Sequence, residues 1–298
     1  MEPGEQPAQQ TLFITGISGF LGAYVGRVAA SQWRVVGSYR STPAQIPHVA
    51  MLRLDLTDSQ AIAQTLMEVR PQAVIHLAAI SKPNVCEQDV ARSHAVNVTA
   101  AVELANRCAE ANIPLVFTST DLVFDGLGAP YCETDAVNPM SVYGEQKAKA
   151  EQAILAGYPQ AVVCRMPLMY GACARNSNFL PQFVNQVRSG QSLKLFVDEF
   201  RTPVSGYDAA LGLLLALNTA QGILHLGGRD RLSRYEFGRQ MAEVFELPME
   251  LICTSHRADV AMAAPRPPDV SLHSSRAFAL GYAPQTVWEN LVALRGQI

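Results

Sequence analysis

Two side chains suited to proton transfer, Tyr143 and Lys147, stand four residues apart in the middle of the chain. On a helix this spacing places both on one face. An ammonium group beside a phenol stabilises the phenolate and lowers its pKa from about 10, as proton transfer near neutral pH requires. The hydroxyl of Thr120, which follows an apolar run, could polarise a carbonyl group while the tyrosine protonates it. These three residues predict acid–base chemistry on a carbonyl substrate.

A glycine-rich turn near the start of the chain predicts a dinucleotide-binding site. Glycines allow a tight turn, close approach of the backbone to a pyrophosphate, and close packing of a helix on a strand. The helix that follows adds free N–H groups and the positive end of its dipole. The spacing G-x-x-G-x-x-G is shifted from the G-x-G-x-x-G fingerprint, so the strand–turn–helix context carries the prediction. The expected contacts in this turn are Gly16, Ser18, Gly19, Phe20, Leu21 and Gly22.

The choice between NADP(H) and NAD(H) depends on the residue after the second strand, where the adenine ribose binds. A carboxylate there would bind the ribose 2′-hydroxyl and favour NAD(H), but the segment reads Ser38-Tyr39-Arg40. The planar fork of Arg40 can pair with a 2′-phosphate and stack on adenine. We therefore expect NADP(H) in preference to NAD(H). NAD(H), with Arg40 as an exposed loop residue, is the alternative.

Further cofactor contacts are expected where the other strands end. Asp55 is placed to accept a hydrogen bond from the adenine amino group, and a helix-start carboxylate beside Thr57 is the alternative. Small residues after the fourth strand would let a cofactor lie flat across the strand ends, whereas His76 within that strand is predicted to be a core histidine. The remaining contacts expected are Leu56, Leu77, Ala78, Ala79, Thr118 and Met166.

These residues are positioned by short apolar runs that alternate with longer amphipathic stretches. Such a pattern predicts an α/β fold with a doubly wound parallel sheet of the Rossmann type, covered on both faces. Thr57 and Gln60 form a capping-box pattern that opens a helix stopped by Pro71. The predicted strands are 12–15, 33–38, 51–54, 74–77, 115–117, 161–164 and 222–226. The predicted helices are 21–30, 95–109, 145–155 and 206–217, with a last one near Trp288.

The alternation breaks up after Arg165, where prolines and polar segments interrupt it. We predict a flexible lead at 1–10 and an NADP-binding, Rossmann-type domain over 11–170 plus about 205–228. A smaller, interleaved C-terminal substrate lobe would then take about 171–204 and 229–298.

The composition argues against several other classes of protein. Of 298 residues, 49% are hydrophobic and 16% are charged, which suits a large core rather than a disordered chain. The formal net charge is −3 and no run of Lys or Arg occurs, so nucleic acid is not expected as a partner. The longest apolar stretch, 209–217, is too short to cross a membrane, and the N-terminus does not resemble a signal peptide. We expect a soluble, cytoplasmic protein.

The cysteines are scattered, with no C-x-x-C pair and no zinc-like spacing to a histidine. Free cysteines in apolar runs behave as small hydrophobic residues, so we predict core positions and no metal site. They are Cys86, Cys108, Cys132, Cys164, Cys173 and Cys253.

Together, the motifs resemble those of the extended short-chain dehydrogenase/reductase family over nearly the whole chain. The dTDP-4-dehydrorhamnose reductase branch is the most similar, with S-T-D-x-V-F-x-G matched at 119–126 and P-x-x-x-Y-G-x-x-K at 139–147. Further matches are Arg165, Tyr170-Gly171, Asn178-Phe179 and Arg266-Pro267.

The resemblance implies hydride chemistry on a nucleotide-linked keto sugar. Tyr143 would donate a proton, Lys147 would tune the phenol and bind the nicotinamide ribose, and Thr120 would orient the carbonyl. Arg201 would neutralise a substrate diphosphate, with a structural ion pair as the alternative. Members commonly form homodimers, so a homodimer is expected. The substrate contacts expected are Thr120, Asp121, Phe124, Leu168, Asn178 and Arg201.

The chain also departs from that branch, since Leu168 stands where a substrate-contacting tryptophan would be and Pro203-Val204 replaces P-T. Loss of an aromatic platform changes how a sugar or base is held. Two alternative functions stay open. The regulatory subunit of methionine adenosyltransferase resembles the same branch, so one alternative is a non-catalytic NADP-binding subunit. The other is a nucleotide-sugar epimerase or dehydratase, which usually holds NAD tightly.

Overall fold

The computed structural model describes residues 9–172 and 178–298 and is built around a parallel sheet. The strands are β1 (Thr11–Thr15), β2 (Arg34–Tyr39), β3 (Val49–Arg53), β4 (Ala73–His76), β5 (Leu115–Thr120), β6 (Val162–Met166), β7 (Met169–Tyr170), β8 (Leu193–Phe196), β9 (Phe200–Arg201), β10 (Val204–Ser205), β11 (Gly222–His225), β12 (Leu232–Ser233) and β13 (Ile252–Ser255). Seven of them form the central sheet in the order β11-β6-β5-β4-β1-β2-β3, and every neighbouring pair is parallel. The predicted doubly wound α/β fold is confirmed.

Helices connect the strands and cover both faces of the sheet. They are α1 (Phe20–Ala29), α2 (Ser59–Val69), α3 (Pro83–Gln88), α4 (Val90–His94), α5 (Ala100–Glu110), α6 (Val142–Gly157), α7 (Phe179–Arg188), α8 (Gly206–Thr219), α9 (Arg234–Val244), α10 (Ser275–Ala279) and α11 (Val287–Ala293). A π-helical turn, Ala95–Thr99, lies between α4 and α5. Short 3₁₀ turns occupy Asp121–Val123, Met249–Leu251 and Arg257–Asp259.

The alternation of side chains along β1 shows how the sheet builds two cores. Leu12 and Ile14 pack into one core with α1 and α8, whereas Phe13 points to the other core, with α2, α5 and α6. All three side chains are fully buried, as expected for a strand at the centre of a sheet covered on both faces.

The order of the strands reverses direction at β1, and this reversal determines where a ligand can bind. From β1 the chain builds outward through β2 to β3, and then returns to the other side of β1 to add β4, β5 and β6. The crossovers leave in opposite directions at this point, so a crevice opens beyond the carboxyl ends of β1 and β4. The glycine turn follows β1 directly and therefore lies in that crevice.

A third core lies outside the sheet, in the C-terminal part of the chain. It is formed by α7, α9, α11 and the parallel pair β8–β13, with Phe237 and Met241 of α9 almost completely buried in it. The predicted lobe boundaries stay a prediction, but one segment differs. Ala277 and Tyr282 pack with α8 against the sheet rather than in the third core, because the chain returns to cover the β11 edge.

Two local predictions differ from the structure in detail. The chain is helical over the predicted 95–109, but its first turn, Ala95–Thr99, is π-helical and α5 begins at Ala100. Helix α2 is capped by Asp58 rather than by Thr57, because the Asp58 carboxylate accepts the N–H groups of Gln60 and Ala61 and Thr57 is bound to Asp55. The predicted flexible lead lies outside the described residues up to residue 8.

Within residues 9–172 and 178–298, no helix is long and apolar enough to span a membrane. The same residues hold no cluster of three or more His, Cys, Asp or Glu side chains that could bind a metal ion. Cys86, Cys108 and Cys164 are buried as predicted, whereas Cys132 and Cys253 are only half-buried. Cys173 lies outside the described residues.

Candidate active site

The carboxyl ends of the central strands surround a cleft of about 500 Å³, which we call the strand-end cleft. All of the residues predicted to bind the cofactor line it, although they come from several separate segments of the chain. They are Gly16, Ser18, Gly19, Phe20, Leu21, Gly22, Arg40, Asp55, Leu56, Leu77, Ala78, Ala79, Thr118, Tyr143, Lys147 and Met166.

The glycine turn lines the strand-end cleft and packs too closely on neighbouring backbone for larger residues. Gly16 has a φ of +70°, and a Cβ there would lie 2.8 Å from the backbone of Ala78. A Cβ on Gly22 would collide with the Gly16 carbonyl oxygen. Helix α1 starts from Gly19 without a side-chain cap, so the N–H groups of its first turn stay available to an anion. These features fit the pyrophosphate of a dinucleotide.

Two residues predicted to contact the adenosine part of the cofactor, Arg40 and Asp55, also line the strand-end cleft. Arg40 is exposed at the end of β2, and Arg53 donates to its carbonyl oxygen at 3.2 Å. Asp55 accepts hydrogen bonds from the N–H and hydroxyl of Thr57, at 3.0 and 2.7 Å. These bonds, and to a smaller extent Arg40 and Arg53, hold the pKa of Asp55 below its usual value. Asp55 thus binds Thr57, as in the alternative prediction, but Asp58 rather than Asp55 caps the helix, and Asp55 also lines the cleft.

Tyr143 and Lys147 lie one turn apart on the buried face of α6, and both line the cleft. Ser141 caps this helix by accepting the N–H of Gly144, which fixes the first turn that carries Tyr143. Tyr143 is 8% exposed and Lys147 is 2% exposed. The Lys147 Nζ atom lies 3.9 Å from the centroid of the Phe117 ring in β5. The predicted pair is thus brought to one wall of the cleft.

The expected lowering of the Tyr143 pKa is not found in the protein alone. Burial raises the pKa of the phenol well above its usual value, the charge of Asp121 raises it further, and a hydrogen bond with Thr120 only partly opposes this. Lys147 does not offset the burial, because burial also lowers its own pKa to about 7. At neutral pH the phenol is therefore protonated and the amine only partly so.

His76 lies under this wall as a neutral core residue, as predicted. Its Nδ1 atom is 2.6 Å from Thr15 Oγ1, and that oxygen also accepts the N–H groups of Leu77 and Ala78. Since those groups occupy both oxygen lone pairs, the Thr15 hydroxyl donates to Nδ1 and the imidazole proton lies on Nε2. Burial, together with the charge of Lys147, lowers the pKa of His76 to about 3.

A second cavity of about 410 Å³ lies between the sheet and the third core, and we call it the lobe cavity. Thr120, Asp121, Leu168 and Arg201, all predicted to contact substrate, line it. It adjoins the strand-end cleft, since several residues face both spaces. The shared residues are Ser81, Ser119, Tyr143, Met166 and Met169.

The lobe cavity has a positively charged wall that is only partly neutralised. Arg201 is buried and forms ion pairs with Asp121 at 3.0 Å and Glu199 at 3.3 Å. Two further guanidinium groups lack such partners: within the described chain, Arg234 Nη1 and Arg266 Nε are buried without a hydrogen bond. Burial, and repulsion from the other two arginines, lower the pKa of Arg234 to about 10. A wall of this kind suits an anionic ligand.

Three predicted substrate contacts have different surroundings from those expected. Phe124 lines neither space, because its fully buried ring stacks on Tyr131 at 4.0 Å between centroids. Asn178 faces the strand-end cleft, but its amide caps α7 and binds the Met169 carbonyl. Arg201 is committed to the ion pairs that the sequence left as the alternative.

A family model described as the RmlD substrate-binding domain matches residues 10–295. The chain belongs to the RmlD family. Its relatives include a probable low-salt glycan biosynthesis reductase from Haloferax volcanii, 32% identical over 289 residues that cover 95% of this chain and 96% of the relative. Methionine adenosyltransferase 2 subunit beta from Bos taurus is 29% identical over 289 residues, covering 92% of this chain and 84% of that protein.

The fold of the RmlD family is seen in a dTDP-4-dehydrorhamnose reductase from Bacillus anthracis, solved with NADP. It superimposes with a TM-score of 0.85 over 96% of this chain and 98% of that one, at 20% identity. The predicted membership of the extended short-chain dehydrogenase/reductase family, in its RmlD-like branch, is therefore confirmed.

Sequence reasoning missed some of the residues that shape this RmlD-family site. Ser119 faces both spaces, and its buried hydroxyl has no hydrogen-bond partner in the described part of the chain. Arg234 comes from the lobe, whose short elements give weak periodicity, and Arg266 was recognised only as a motif match without a place in the site. Val96 reaches the strand-end cleft from the π-helical turn. Arg234 directly follows Ser233, which forms a capping box with Glu236 at the start of α9, and that pattern was the available signal.

Proposed function

We propose that the protein is an NADPH-dependent reductase of a nucleotide-activated keto sugar. The observation that carries the proposal is that Tyr143 faces both the strand-end cleft and the lobe cavity, with Thr120 and Lys147 beside it. A general acid must reach the carbonyl oxygen from the side where the hydride donor meets the substrate. The relative from Haloferax volcanii, a probable glycan biosynthesis reductase, supports the same reaction class.

Each residue has a distinct part in the proposed reaction. Bound NADPH would supply the hydride that reduces the keto carbon. The phenol of Tyr143 donates its proton to the oxygen that becomes the alkoxide, and Thr120 donates a hydrogen bond that orients the carbonyl. Lys147 binds the nicotinamide ribose and, when protonated, stabilises the phenolate left on Tyr143. The raised pKa of Tyr143 keeps the phenol protonated and suits donation rather than abstraction of a proton.

The preference for NADP(H) over NAD(H) belongs to this proposal. Arg40 lines the strand-end cleft and is exposed, so its guanidinium is available to a 2′-phosphate. Asp55, which would bind adenine, is stabilised in its charged form mainly by Thr57 and to a smaller extent by Arg40 and Arg53. The Bacillus anthracis structure of this fold is in complex with NADP.

The substrate diphosphate is assigned to Arg234 and Arg266 rather than to Arg201. Arg201 already neutralises Asp121 and Glu199, so it has little capacity for a further anion. Arg234 and Arg266 line the lobe cavity, and one buried nitrogen of each lacks a hydrogen-bond partner among the described residues, so a phosphate in the cavity would supply the missing acceptor and balance their charge. Leu168 lines the same cavity and would contact the sugar or base. We further propose a cytoplasmic homodimer.

A non-catalytic regulatory subunit is the second candidate, because the chain is 29% identical to methionine adenosyltransferase 2 subunit beta. A protein that only binds NADP has no chemical need for Thr120, Tyr143 and Lys147 together. An epimerase or dehydratase is less well supported, since such enzymes usually hold NAD tightly.

The test is NADPH oxidation by the purified protein against a panel of nucleotide-linked keto sugars. The proposal expects turnover with at least one of them and little with the free keto sugars, which lack the diphosphate. Binding of NADPH without turnover on any member would favour the regulatory subunit. Purification with stoichiometric bound NAD would favour the epimerase.

A further inference from the structure

Two buried amide side chains lie behind the wall of the strand-end cleft and are bonded to each other. Gln146 belongs to the same buried face of α6 as Tyr143 and Lys147, but it lines neither the strand-end cleft nor the lobe cavity. Its side chain is 2% exposed and binds Asn97 of the π-helical turn, which is 1% exposed. Burial of an amide is costly unless its polar atoms are hydrogen-bonded, so the partners of this pair matter.

Every polar atom of the two amides has a hydrogen-bond partner. Asn97 Oδ1 accepts the Ile80 N–H at 2.8 Å, and Asn97 Nδ2 donates to the Ile80 carbonyl at 3.1 Å and to Gln146 Oε1 at 2.9 Å. Gln146 Nε2 donates to the Ser93 hydroxyl at 2.9 Å and to the Val90 carbonyl at 3.3 Å. The pair is therefore bonded to the loop after β4 at one end and to α4 at the other.

Backbone groups at the two ends of this network fix the direction of both amides. The Ile80 N–H can only donate and the Val90 carbonyl can only accept, so neither amide can turn over without losing a bond. Since Asn97 Oδ1 is held by Ile80, Asn97 presents its Nδ2 to Gln146, and Gln146 must present its oxygen in return. The network thus has one arrangement in which all of its members are satisfied.

The network joins three segments that line the strand-end cleft. Ile80 and Ser81 come from the loop after β4, and Val96 comes from the π-helical turn. Tyr143 and Lys147 come from α6. Ser81 and Tyr143 also line the lobe cavity, so these segments meet where the two spaces adjoin. A shift of one segment against the others would move the wall of the cleft at this junction.

We propose that Gln146 is a positioning residue that holds the Tyr143–Lys147 face of α6 at a fixed distance from the loop after β4. The inference rests on the proposed function, in which Lys147 binds the nicotinamide ribose and Tyr143 protonates the carbonyl. Gln146 acts on the loop through Asn97, which binds both backbone groups of Ile80. Without Gln146, binding of the cofactor would have to order this wall, and the entropy lost would lower the affinity at the nicotinamide end.

The test compares the affinity of Gln146→Met for NADPH with its affinity for 2′,5′-ADP, which carries the adenosine end of the cofactor and no nicotinamide. Methionine is similar to glutamine in length and volume but makes none of the amide bonds. Affinity for NADPH should fall about 10-fold, and affinity for 2′,5′-ADP, which reaches Arg40 but not α6, should stay at the wild-type value. Calorimetric titration measures both affinities without any keto sugar.

Matched variants separate positioning from a general loss of folding, with circular dichroism to show that each protein is folded. Gln152→Met makes the same change at an exposed position of α6 and should alter neither affinity. Ser93→Ala removes one acceptor of Gln146 Nε2 and leaves the Val90 carbonyl as the other. It should lower NADPH affinity alone, by about 2- to 3-fold, and it is the test variant if Gln146→Met does not fold.

The outcomes are distinct for this proposal and for the reductase. A folded Gln146→Met protein with wild-type affinity for NADPH overturns the role of Gln146, as does an equal loss of affinity for both ligands. If only Ser93→Ala folds, wild-type NADPH affinity in that variant overturns it. A selective loss of NADPH affinity, with no keto sugar reduced by the wild-type protein, supports Gln146 and overturns the reductase. A wild-type protein that does not bind NADPH overturns both.

Discussion

At the scale of single residues, Tyr143 and Lys147 differ from the expectation that the amine lowers the pKa of the phenol. Both groups are buried, and burial disfavours the charged form of each, so the phenol keeps its proton and the amine tends to lose one. In the proposed reduction this is the useful starting state for Tyr143, because a proton donor must be protonated. Lys147 is then the group whose charge must be maintained by its surroundings.

Replacing Tyr143 with Phe should remove the proton donor and little else. We expect kcat for keto-sugar reduction to fall about 10²- to 10⁴-fold, while the Kd for NADPH stays close to that of the wild-type protein. Steady-state kinetics and fluorescence titration measure the two quantities. Tyr158→Phe is the control, since that buried hydroxyl donates to the Ile113 carbonyl away from the cleft. Wild-type turnover in Tyr143→Phe would remove the residue from the mechanism.

Arg40 should decide the choice of cofactor. Arg40→Leu removes a charge-assisted hydrogen bond to a 2′-phosphate, which corresponds to a loss of roughly 10-fold or more in NADPH affinity. NADH affinity should change little, because NADH has no such phosphate. Calorimetric titration of both cofactors tests this, with Arg34→Leu at the other end of β2 as the control. An equal loss for both cofactors would contradict the assignment.

Lys147 should reduce the stability of the fold at neutral pH. The unfolded chain keeps this lysine protonated up to about its usual pKa of 10.5, whereas the folded chain releases the proton from about pH 7. The unfolded state therefore binds more protons between these values, and this contribution to stability rises with pH across them. Lys147→Met should raise the free energy of unfolding at pH 7 by roughly 2 kcal/mol, and by less near pH 10.

Urea denaturation at several pH values measures this gain. Lys149→Met, at an exposed position on the same helix, should change stability little at any pH. A Lys147→Met protein that is less stable than the wild type at pH 7 would show that the amine contributes more through contacts than it costs by burial.

At the scale of elements, two constraints require glycine at position 16 in the turn between β1 and α1. They are the positive φ of its backbone and its close approach to Ala78, and they can be tested separately. Gly16 and Gly190 both have positive φ, but a Cβ on Gly16 would meet the Ala78 backbone and one on Gly190 would meet nothing within 4 Å. Gly190→Ala should cost about 1 kcal/mol for the backbone conformation alone. Gly16→Ala should cost clearly more and also weaken NADPH binding. Equal losses of stability in denaturation would show that the close approach to Ala78 is easily relieved.

Elements with strong local signals could be predicted from the sequence, and those that depend on contacts could not. Every residue predicted to bind the cofactor lines one cleft, because strand ends and a glycine turn follow from periodicity and backbone chemistry. The direction of the Phe124 ring is set by the 3₁₀ turn at Asp121–Val123 and by its packing on Arg165 and Tyr131. The S-T-D-x-V-F-x-G motif that contains Phe124 does not predict its packing on Arg165 or on Tyr131.

The start of α2 also depends on a contact that the sequence pattern did not predict, here between residues close together in the chain. Thr57 and Asp58 can both cap a helix, and the sequence favours Thr57 because Gln60 completes a capping box. In the structure Asp55 binds Thr57 and leaves Asp58 as the cap. The π-helical turn at Ala95–Thr99 likewise depends on tertiary contacts, since Asn97 within it binds Ile80 and Gln146.

At the scale of the whole molecule, the site is formed where a well-predicted sheet meets a poorly predicted lobe. The sheet contributes the strand-end cleft and the pair Tyr143–Lys147, whereas Arg234 and Arg266 come from the C-terminal part of the chain. The lobe is built of short strand pairs and helices around its own core, which give weak sequence patterns. This division explains why the cofactor is easier to infer than the sugar.

The central claim is that hydride passes from the cofactor to a nucleotide-linked keto sugar within this junction. The most direct measurement uses NADPH deuterated at the transferable C4 position, with mass spectrometry of the sugar product. The account predicts one deuterium in each product molecule and an equal amount of NADP⁺ formed, with the rate of formation of both greatly reduced in Tyr143→Phe. Bound NADPH that stays labelled while no substrate in the panel gains deuterium would contradict it.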